Sequence, residues 1–280
     1  MNASPPRTST ARAAFVDGGG HRLFGLHIVP TGPVRAAALY VPPFAEEMNR
    51  CRSHAAAQAR ALAAQGVHCL LIDLFGTGES DGAFEQAGWD GWHADVAAAA
   101  LHLQAQSGHA PVLWGARTGA LLAARVASQG ATPVAGLLMW QPVLDGATFL
   151  NQTLRLRIAS QMVNEAERET TEQIRARLQQ GETLEVAGYP LTAGLAEGLA
   201  ASRLADFAPV PGTRVGWLEM VARPEQPMAV PSRRLLEQWR AGGVRVVDTT
   251  VACPLIWQLH ERADAPELDA ATLKLWEDLQ

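Results

Sequence analysis

A five-residue segment, GARTG at residues 115–119, most strongly constrains how this chain can fold. An apolar run at residues 112–114 precedes it, and an alanine- and leucine-rich run follows it. This order predicts a buried strand, a sharp turn and a helix. Glycine at the first and fifth positions of the turn allows the strand and helix backbones to approach closely. The segment therefore predicts a strand–turn–helix unit with Arg117 at the bend.

Composition limits the size, class and partners of the molecule. At 280 residues and 48% hydrophobic content, the chain can bury one large core. A net charge of −5 argues against a nucleic-acid partner. No apolar run approaches the ~20 residues that cross a bilayer, and the start of the chain lacks the apolar segment of a secretory signal. Composition leaves both a monomer and a homodimer open.

Cysteine and histidine usage predicts neither a disulfide framework nor a cofactor. The cysteines, Cys51, Cys69 and Cys253, show no CxxC spacing, which favours reduced thiols in a cytoplasmic protein. No metal-ligand cluster, GxGxxG motif or P-loop is present in the sequence. The glycine-rich stretch at residues 73–82 has the wrong spacing for a phosphate loop, and we interpret it as a tight turn. We therefore expect no metal and no cofactor.

Alternating strand and helix patterns predict one α/β domain over residues 14–280, after a disordered lead at residues 1–13. Runs at residues 14–17 and 22–29 predict an antiparallel hairpin, and the later apolar strands predict a mostly parallel sheet flanked by helices. A loop at residues 42–52 should precede an alanine-rich helix at 53–65. From about residue 146 to 203, helical periodicity predicts a small inserted cap; an excursion over one sheet edge is the alternative.

Several segments resemble a known superfamily. The DxxGxGxS loop at residues 73–80 and the GxxxG turn at residues 115–119 are similar to turns of the α/β-hydrolases, the second lying at their nucleophile elbow. The segments VPPFAEEMNR, LIDLFGTGESDG, WGARTGALLAA and WQPVLDGATFLNQTLRLR more narrowly resemble the exosortase A system-associated hydrolases, in particular hydrolase 2. That resemblance implies an α/β-hydrolase fold and an association with exopolysaccharide and protein-sorting gene clusters of Gram-negative bacteria.

The catalytic triad of the superfamily is only partly matched. There an elbow serine attacks an acyl carbon, a histidine takes its proton, and an acid orients the histidine. Arg117 stands at the elbow and cannot attack, because its guanidinium stays protonated without a free lone pair. Glu225 lies where the acid is usual, with a solvated loop carboxylate as the alternative. His260 is the histidine available near the end, with a surface histidine as the alternative.

The loop after the third strand also departs from the superfamily. Many members carry a His-Gly pair there, whereas this chain has PPFAEE at residues 42–47. That loop faces the elbow in the superfamily, so we expect an ion pair of Arg117 with Glu46 or Glu47 in the pocket of the missing serine. The alternative is an Arg117 that only snorkels between helices. The side chains expected to contact the substrate are Phe44, Ala45, Ala116, Thr118 and Trp140.

Two functions remain open at this point. One is a hydrolase of an acyl ester, amide or thioester, with Glu46 or Glu47 as general base and Arg117 stabilising the oxyanion. The other is a non-catalytic protein that uses the same scaffold to bind an anionic ligand or a partner. Thr118 beside the elbow is expected to cap the following helix rather than to replace the nucleophile.

Overall fold

A computed structural model of the protein describes residues 8–163 and 169–280. The strands are β1 (Ser9–Asp17), β2 (Arg22–Pro30), β3 (Ala36–Val41), β4 (Val67–Ile72), β5 (Pro111–Ala116), β6 (Gly136–Trp140), β7 (Leu184–Val186), β8 (Tyr189–Leu191), β9 (Arg214–Val221) and β10 (Arg245–Ala252). The helices are α1 (Glu46–Ala64), α2 (Trp89–Ser107), α3 (Gly119–Gln129), α4 (Gly146–Val163), α5 (Thr171–Gln179), α6 (Ala193–Ala201), α7 (Val230–Ala241) and α8 (Pro266–Asp278).

An eight-stranded sheet with the order β1-β2-β4-β3-β5-β6-β9-β10 forms the centre of the molecule. The six strands from β4 to β10 pair in parallel, and β1 and β2 add an antiparallel hairpin at one edge. This confirms the predicted mostly parallel sheet and its N-terminal hairpin. The disordered lead expected through residue 13 is wrong for residues 9–13, which pair with β2; residues 1–7 lie outside the described residues.

Helices cover both faces of the sheet because its central strands are apolar on both sides. In β5, Leu113 packs on the face covered by α2, α3 and α7, whereas Trp114 packs on the face covered by α1 and α8. Alternation of side chains along a strand assigns neighbouring residues to opposite faces. Both faces therefore carry a buried apolar layer. α1 follows the carboxyl end of β3, and α3 follows that of β5.

A segment between β6 and β9, here called the insert (residues 146–203), contains α4, α5, the β7–β8 hairpin and α6. Its two ends meet where the Gly146 N–H donates to the Ser202 carbonyl at 2.9 Å. α6 packs closely on α2, since a Cβ at Gly198 would lie 2.5 Å from the Cβ of Trp89. The insert is thus tied to the sheet domain at its neck and along α2.

α1 begins earlier than the sequence pattern predicted. The expected loop at residues 42–52 ends at Ala45, and the helix starts at Glu46 rather than near residue 53. Two glutamates in the first turn are favourable there, because the amino end of a helix carries partial positive charge. Glu46 and Glu47 therefore lie on a helix instead of in a loop. No helix within residues 8–163 and 169–280 is long and apolar enough to cross a membrane.

Candidate active site

The turn between β5 and α3 places Arg117 at the carboxyl edge of the sheet. A Cβ at Gly115 would lie 2.5 Å from the Cα of Ala120, and one at Gly119 would lie 2.2 Å from the carbonyl oxygen of Val41. Neither position has room for a side chain, so both glycines are required for the close approach. Arg117 itself has φ of 52°, a left-handed conformation that L-residues rarely adopt. This strained backbone conformation directs the Arg117 side chain away from the turn and into the cavity wall.

Arg117 forms the ion pair that the sequence predicted, and its partner is Glu47. Nε and Nη2 of Arg117 donate to Oε2 and Oε1 of Glu47, each at 3.2 Å, and Nη1 donates to the carbonyl of Gln141 at 3.3 Å. The arginine side chain is 14% exposed and that of the glutamate 18%. A guanidinium has five N–H donors, so two have no partner within residues 8–163 and 169–280. Those two N–H groups are available to a ligand.

Glu46, the other candidate carboxylate, does not contact Arg117. It pairs instead with Arg50, one turn further along α1. Arg50 also donates from Nη1 to the carbonyl of Trp257 at 3.1 Å, which connects α1 to the segment after β10. The two neighbouring glutamates therefore have different partners, because they point in different directions from the first turn of the helix.

Burial raises the pKa of the Glu47 carboxyl above its usual value. The nearby guanidinium groups of Arg117 and Arg50 act in the opposite direction, and the neighbouring Glu46 adds to the rise. Desolvation is the larger effect, because removing a carboxylate from water disfavours its charged form. Glu47 therefore holds a proton more readily than a glutamate on the surface.

A cavity of about 700 Å³ opens beside the ion pair. Its lining residues are Phe44, Ala45, Glu46, Glu47, Arg50, Arg117, Phe149, Gln152, Thr153, Ala187, Trp257, Gln258 and His260. The Arg117 guanidinium carbon lies 4.6 Å from the centre of the Trp257 ring and 5.9 Å from that of Phe149. Aromatic faces attract cations, so the rings stabilise the guanidinium in its partly buried position. The cavity thus combines an apolar aromatic wall with one charged pair.

Thr118 has a structural role that differs from both the pocket contact and the helix cap that we expected. Its hydroxyl accepts a hydrogen bond from the N–H of Phe44 at 2.8 Å, and no side-chain cap bond is made to α3. The Thr118 side chain is buried and does not line the cavity. The hydroxyl therefore joins the elbow to the loop after β3 and engages the Phe44 N–H within the protein.

Ala116 and Trp140 also do not line the cavity. Both pack into the apolar layer beneath α1 and α8, where the Trp140 indole N–H donates to the Thr272 hydroxyl at 3.0 Å. The expectation placed them at the pocket because they follow the strands that end there. Their side chains are buried within the apolar layer of the sheet and not at its carboxyl edge, where the cavity opens. Phe44 and Ala45 line the cavity, and their contact with a substrate stays a prediction.

Glu225 and His260 do not form the acid–histidine pair of the superfamily. Glu225 is exposed in the loop after β9, with φ of 68°, and is not among the cavity residues. His260 lies at the exposed rim, where its Nδ1 accepts from Nη2 of Arg50 at 3.4 Å. Within the two described ranges of the chain, neither residue bonds to Arg117 or to the other. The elbow therefore has a charged pair in place of a relay.

The sequence pattern missed Trp257, Phe149 and Arg50. Arg50 had a usable signal, because it stands four residues after Glu46 and such pairs meet on a helix. Trp257 and Phe149 had none, since their position depends on how the last loop and the insert fold back. Within the described part of the chain, no group of three or more His, Cys, Asp or Glu side chains is placed to hold a metal ion.

Comparison with known proteins identifies a family and similar folds for this chain. The family described as "Serine aminopeptidase, S33" matches residues 32–187, which is more than half of the chain. Est1E from Butyrivibrio proteoclasticus with ferulic acid bound is 16% identical, with a TM-score of 0.66 over 95% of this chain and 98% of that one. The thioesterase domain from the curacin biosynthetic pathway is 18% identical, with a TM-score of 0.52 over 97% and 100%.

A third structure, DcsB in complex with its substrate analogue, is 14% identical, with a TM-score of 0.65 over 97% of this chain and 100% of that one. At these identities the three structures support the fold alone. No curated protein matches the chain. The parallel sheet, the elbow between β5 and α3 and the family match lead to one assignment: the chain belongs to the serine aminopeptidase S33 family of α/β-hydrolases.

Proposed function

We propose that the protein hydrolyses an acyl ester, amide or thioester by activating a water molecule, without a covalent intermediate. One observation carries the proposal: Glu47 and Arg117 are paired at the cavity wall, where the superfamily places its serine. The carboxylate is a base with a raised pKa, and the guanidinium retains two N–H donors for an oxyanion. The pair thus supplies both groups that hydrolysis by water requires.

The proposed reaction has two balanced steps. Water transfers a proton to Glu47 while its oxygen bonds to the acyl carbon, and the carbonyl electron pair moves to the carbonyl oxygen. Arg117 holds that oxyanion through its remaining N–H groups. The intermediate then expels the alcohol, thiol or amine, which takes the proton back from Glu47.

The net charge of the site stays constant through both reaction steps, which favours this mechanism. The negative charge begins on Glu47, moves to the oxyanion and returns, while Arg117 stays within reach of both positions. No isolated charge forms in the buried site, where it would be costly. The aromatic wall limits hydration of the guanidinium, which strengthens its interaction with the developing charge.

The proposal extends to the insert and to the setting of the protein. We propose that the insert is a cap, supported by the side chains of Phe149, Gln152 and Thr153, which reach the cavity from α4. A volume of about 700 Å³ suits a small acyl substrate. The resemblance to exosortase A system-associated hydrolase 2 supports a role in exopolysaccharide or protein-sorting systems, with the protein acting in the cytoplasm.

Turnover of 4-nitrophenyl butyrate and of a short acyl thioester tests the proposal. Glu47→Gln should lower kcat at least about 100-fold, since it removes the base while keeping the shape. Glu237→Gln, an exposed substitution on α7, is the matched control and should retain wild-type kcat. A fluorophosphonate probe should leave the protein unlabelled. Equal rates in wild type and Glu47→Gln, or stoichiometric labelling, would contradict the mechanism.

A second function, binding of an anionic ligand without catalysis, is supported by the hydrogen bond from the Phe44 N–H to Thr118, which leaves fewer donors for an oxyanion. Calorimetry with butyrate separates the two. Binding without ester turnover, abolished in Arg117→Met and retained in Glu47→Gln, would support the binding protein. Turnover that depends on Glu47 would exclude it.

A further inference from the structure

The segment after β10 lacks a strand or helix of its own near the cavity, yet Trp257 within it is 6% exposed. Such a residue needs contacts from elsewhere to hold one position. Its carbonyl accepts the hydrogen bond from Arg50, and the Gln258 N–H closes a turn onto the Leu255 carbonyl at 2.8 Å. Arg50 is in turn paired with Glu46 on α1. A helix therefore anchors the backbone that carries the indole ring.

The indole ring lies over the face of the Arg117 guanidinium, which hydrogen bonds cannot engage. Three of the N–H groups in the plane of the guanidinium donate to Glu47 and to the Gln141 carbonyl, while the centre of the Trp257 ring lies 4.6 Å from the guanidinium carbon. Hydrogen bonds at the edge and a ring contact together restrict rotation of the group. Without the ring, the long arginine side chain regains rotamer freedom beside an open cavity.

We propose that Trp257, anchored by Arg50, is a positioning residue that fixes the orientation of the Arg117 guanidinium toward Glu47. Glu46 then has a specific part in the site: it holds Arg50, while Glu47 faces the substrate. The positioning itself requires no turnover, whereas its consequence for catalysis rests on the proposed function. Under that function, loss of the ring lowers kcat while KM changes little, because the reacting groups rather than the cavity walls are disturbed.

Hydrogen exchange at the Arg117 Nε–H, followed by ¹⁵N NMR, reports how firmly its hydrogen bond to Glu47 is held and needs no activity. Trp257→Leu should speed that exchange about tenfold, the factor expected for loss of a desolvated cation–π contact. Trp257→Phe keeps an aromatic face and should stay within about twofold of wild type. Glu237→Gln, the exposed substitution on α7, is the control and should leave the exchange rate unchanged.

Two results would overturn the proposal. One is an unchanged exchange rate in folded Trp257→Leu. The other applies where Trp257→Leu fails to fold: Arg50→Met, a substitution on α1 that removes the anchor to the carbonyl, should also speed exchange, and an unchanged rate there contradicts the anchor. Faster exchange in a protein that never hydrolyses esters would support positioning and reject only the proposed function.

Discussion

Two pairs of side chains removed from solvent differ in charge: one is an ion pair and the other is a pair of histidines. Arg117 and Glu47 come from the elbow and from α1, and their opposite charges meet beside a cavity. His27 and His68 come from β2 and β4, and Nδ1 of the first lies 3.0 Å from Nε2 of the second beneath α2. Burial, with the nearby His68, His102 and Arg12, lowers the pKa of His27 to about 4.

The difference lies in compensation, because the opposite charges of Arg117 and Glu47 offset part of the hydration lost on burial. Burial first, and then the neighbouring imidazoles and Arg12, lower the pKa of both histidines, which favours their neutral forms at pH 7. The Arg117–Glu47 pair has a partner of opposite charge and aromatic faces. The neutral histidine pair contributes packing alone. In the Arg117–Glu47 pair, which lies beside a cavity, either charged group can exchange its partner for a substrate atom.

Of the changes that test this comparison, removal of Arg117 should alter the free energy of unfolding most. Arg117→Met leaves the partly buried Glu47 carboxylate without its counter-ion, and the free energy of unfolding should fall by about 3 kcal/mol. Urea unfolding measures the loss. The double variant Arg117→Met/Glu47→Gln should recover part of it. If the single and double variants are equally unstable, the pair contributes no coupling and the comparison fails.

Acidification should destabilise the protein through the histidine pair. Unfolded His27 takes up a proton near pH 6.5, whereas folded His27 does so only near its pKa of about 4. The unfolded state therefore binds more protons within this window, so stability present above pH 6.5 is lost as the pH falls. Between pH 7 and 5 the expected loss from His27 is about 2 kcal/mol.

Urea unfolding at the two pH values checks this expectation, with His27→Gln as the comparison. The variant should show a flatter dependence of stability on pH, whatever its absolute stability. An identical pH dependence in both proteins would mean that His27 is not a buried neutral base, and that the two pairs do not differ as described.

The smallest expected effect comes from placing a serine at the elbow. Arg117→Ser should gain no labelling by a fluorophosphonate probe above background. His260 is held at Arg50 and Glu225 is exposed, so neither is placed to activate a new hydroxyl. Intact-mass measurement after exposure to the probe tests this, and stoichiometric labelling would show that the charged pair hides a working relay.

Much of the fold could be predicted because its signals are local. Strand and helix alternation predicted the parallel sheet, and the spacing of Gly115 and Gly119 predicted the elbow, since each glycine is required by a contact within a few residues or with the adjoining strand. The Arg117 ion pair followed instead from the resemblance to the α/β-hydrolases, in which the loop after the third strand faces the elbow. Even so, Glu46 and Glu47 could not be told apart until α1 was seen to begin at Glu46.

The rest of the site depends on contacts between distant segments. Trp257 reaches Arg117 only because α1 anchors the last loop, and Phe149 does so only because the insert folds back. Trp140 was expected at the cavity because it ends a strand, but its indole packs into the apolar layer beneath α1 and α8, which the strand pattern does not reveal. Local signals predicted the scaffold, and long-range packing decided the cavity wall.

The pH dependence of kcat for 4-nitrophenyl butyrate in wild type and Glu47→Gln tests the central claim most directly. If Glu47 is the base that activates water, wild-type kcat should rise with pH through the raised pKa of this carboxyl, and that rise should be absent from the residual activity of Glu47→Gln. The same rise in both proteins would assign the base elsewhere and contradict the account.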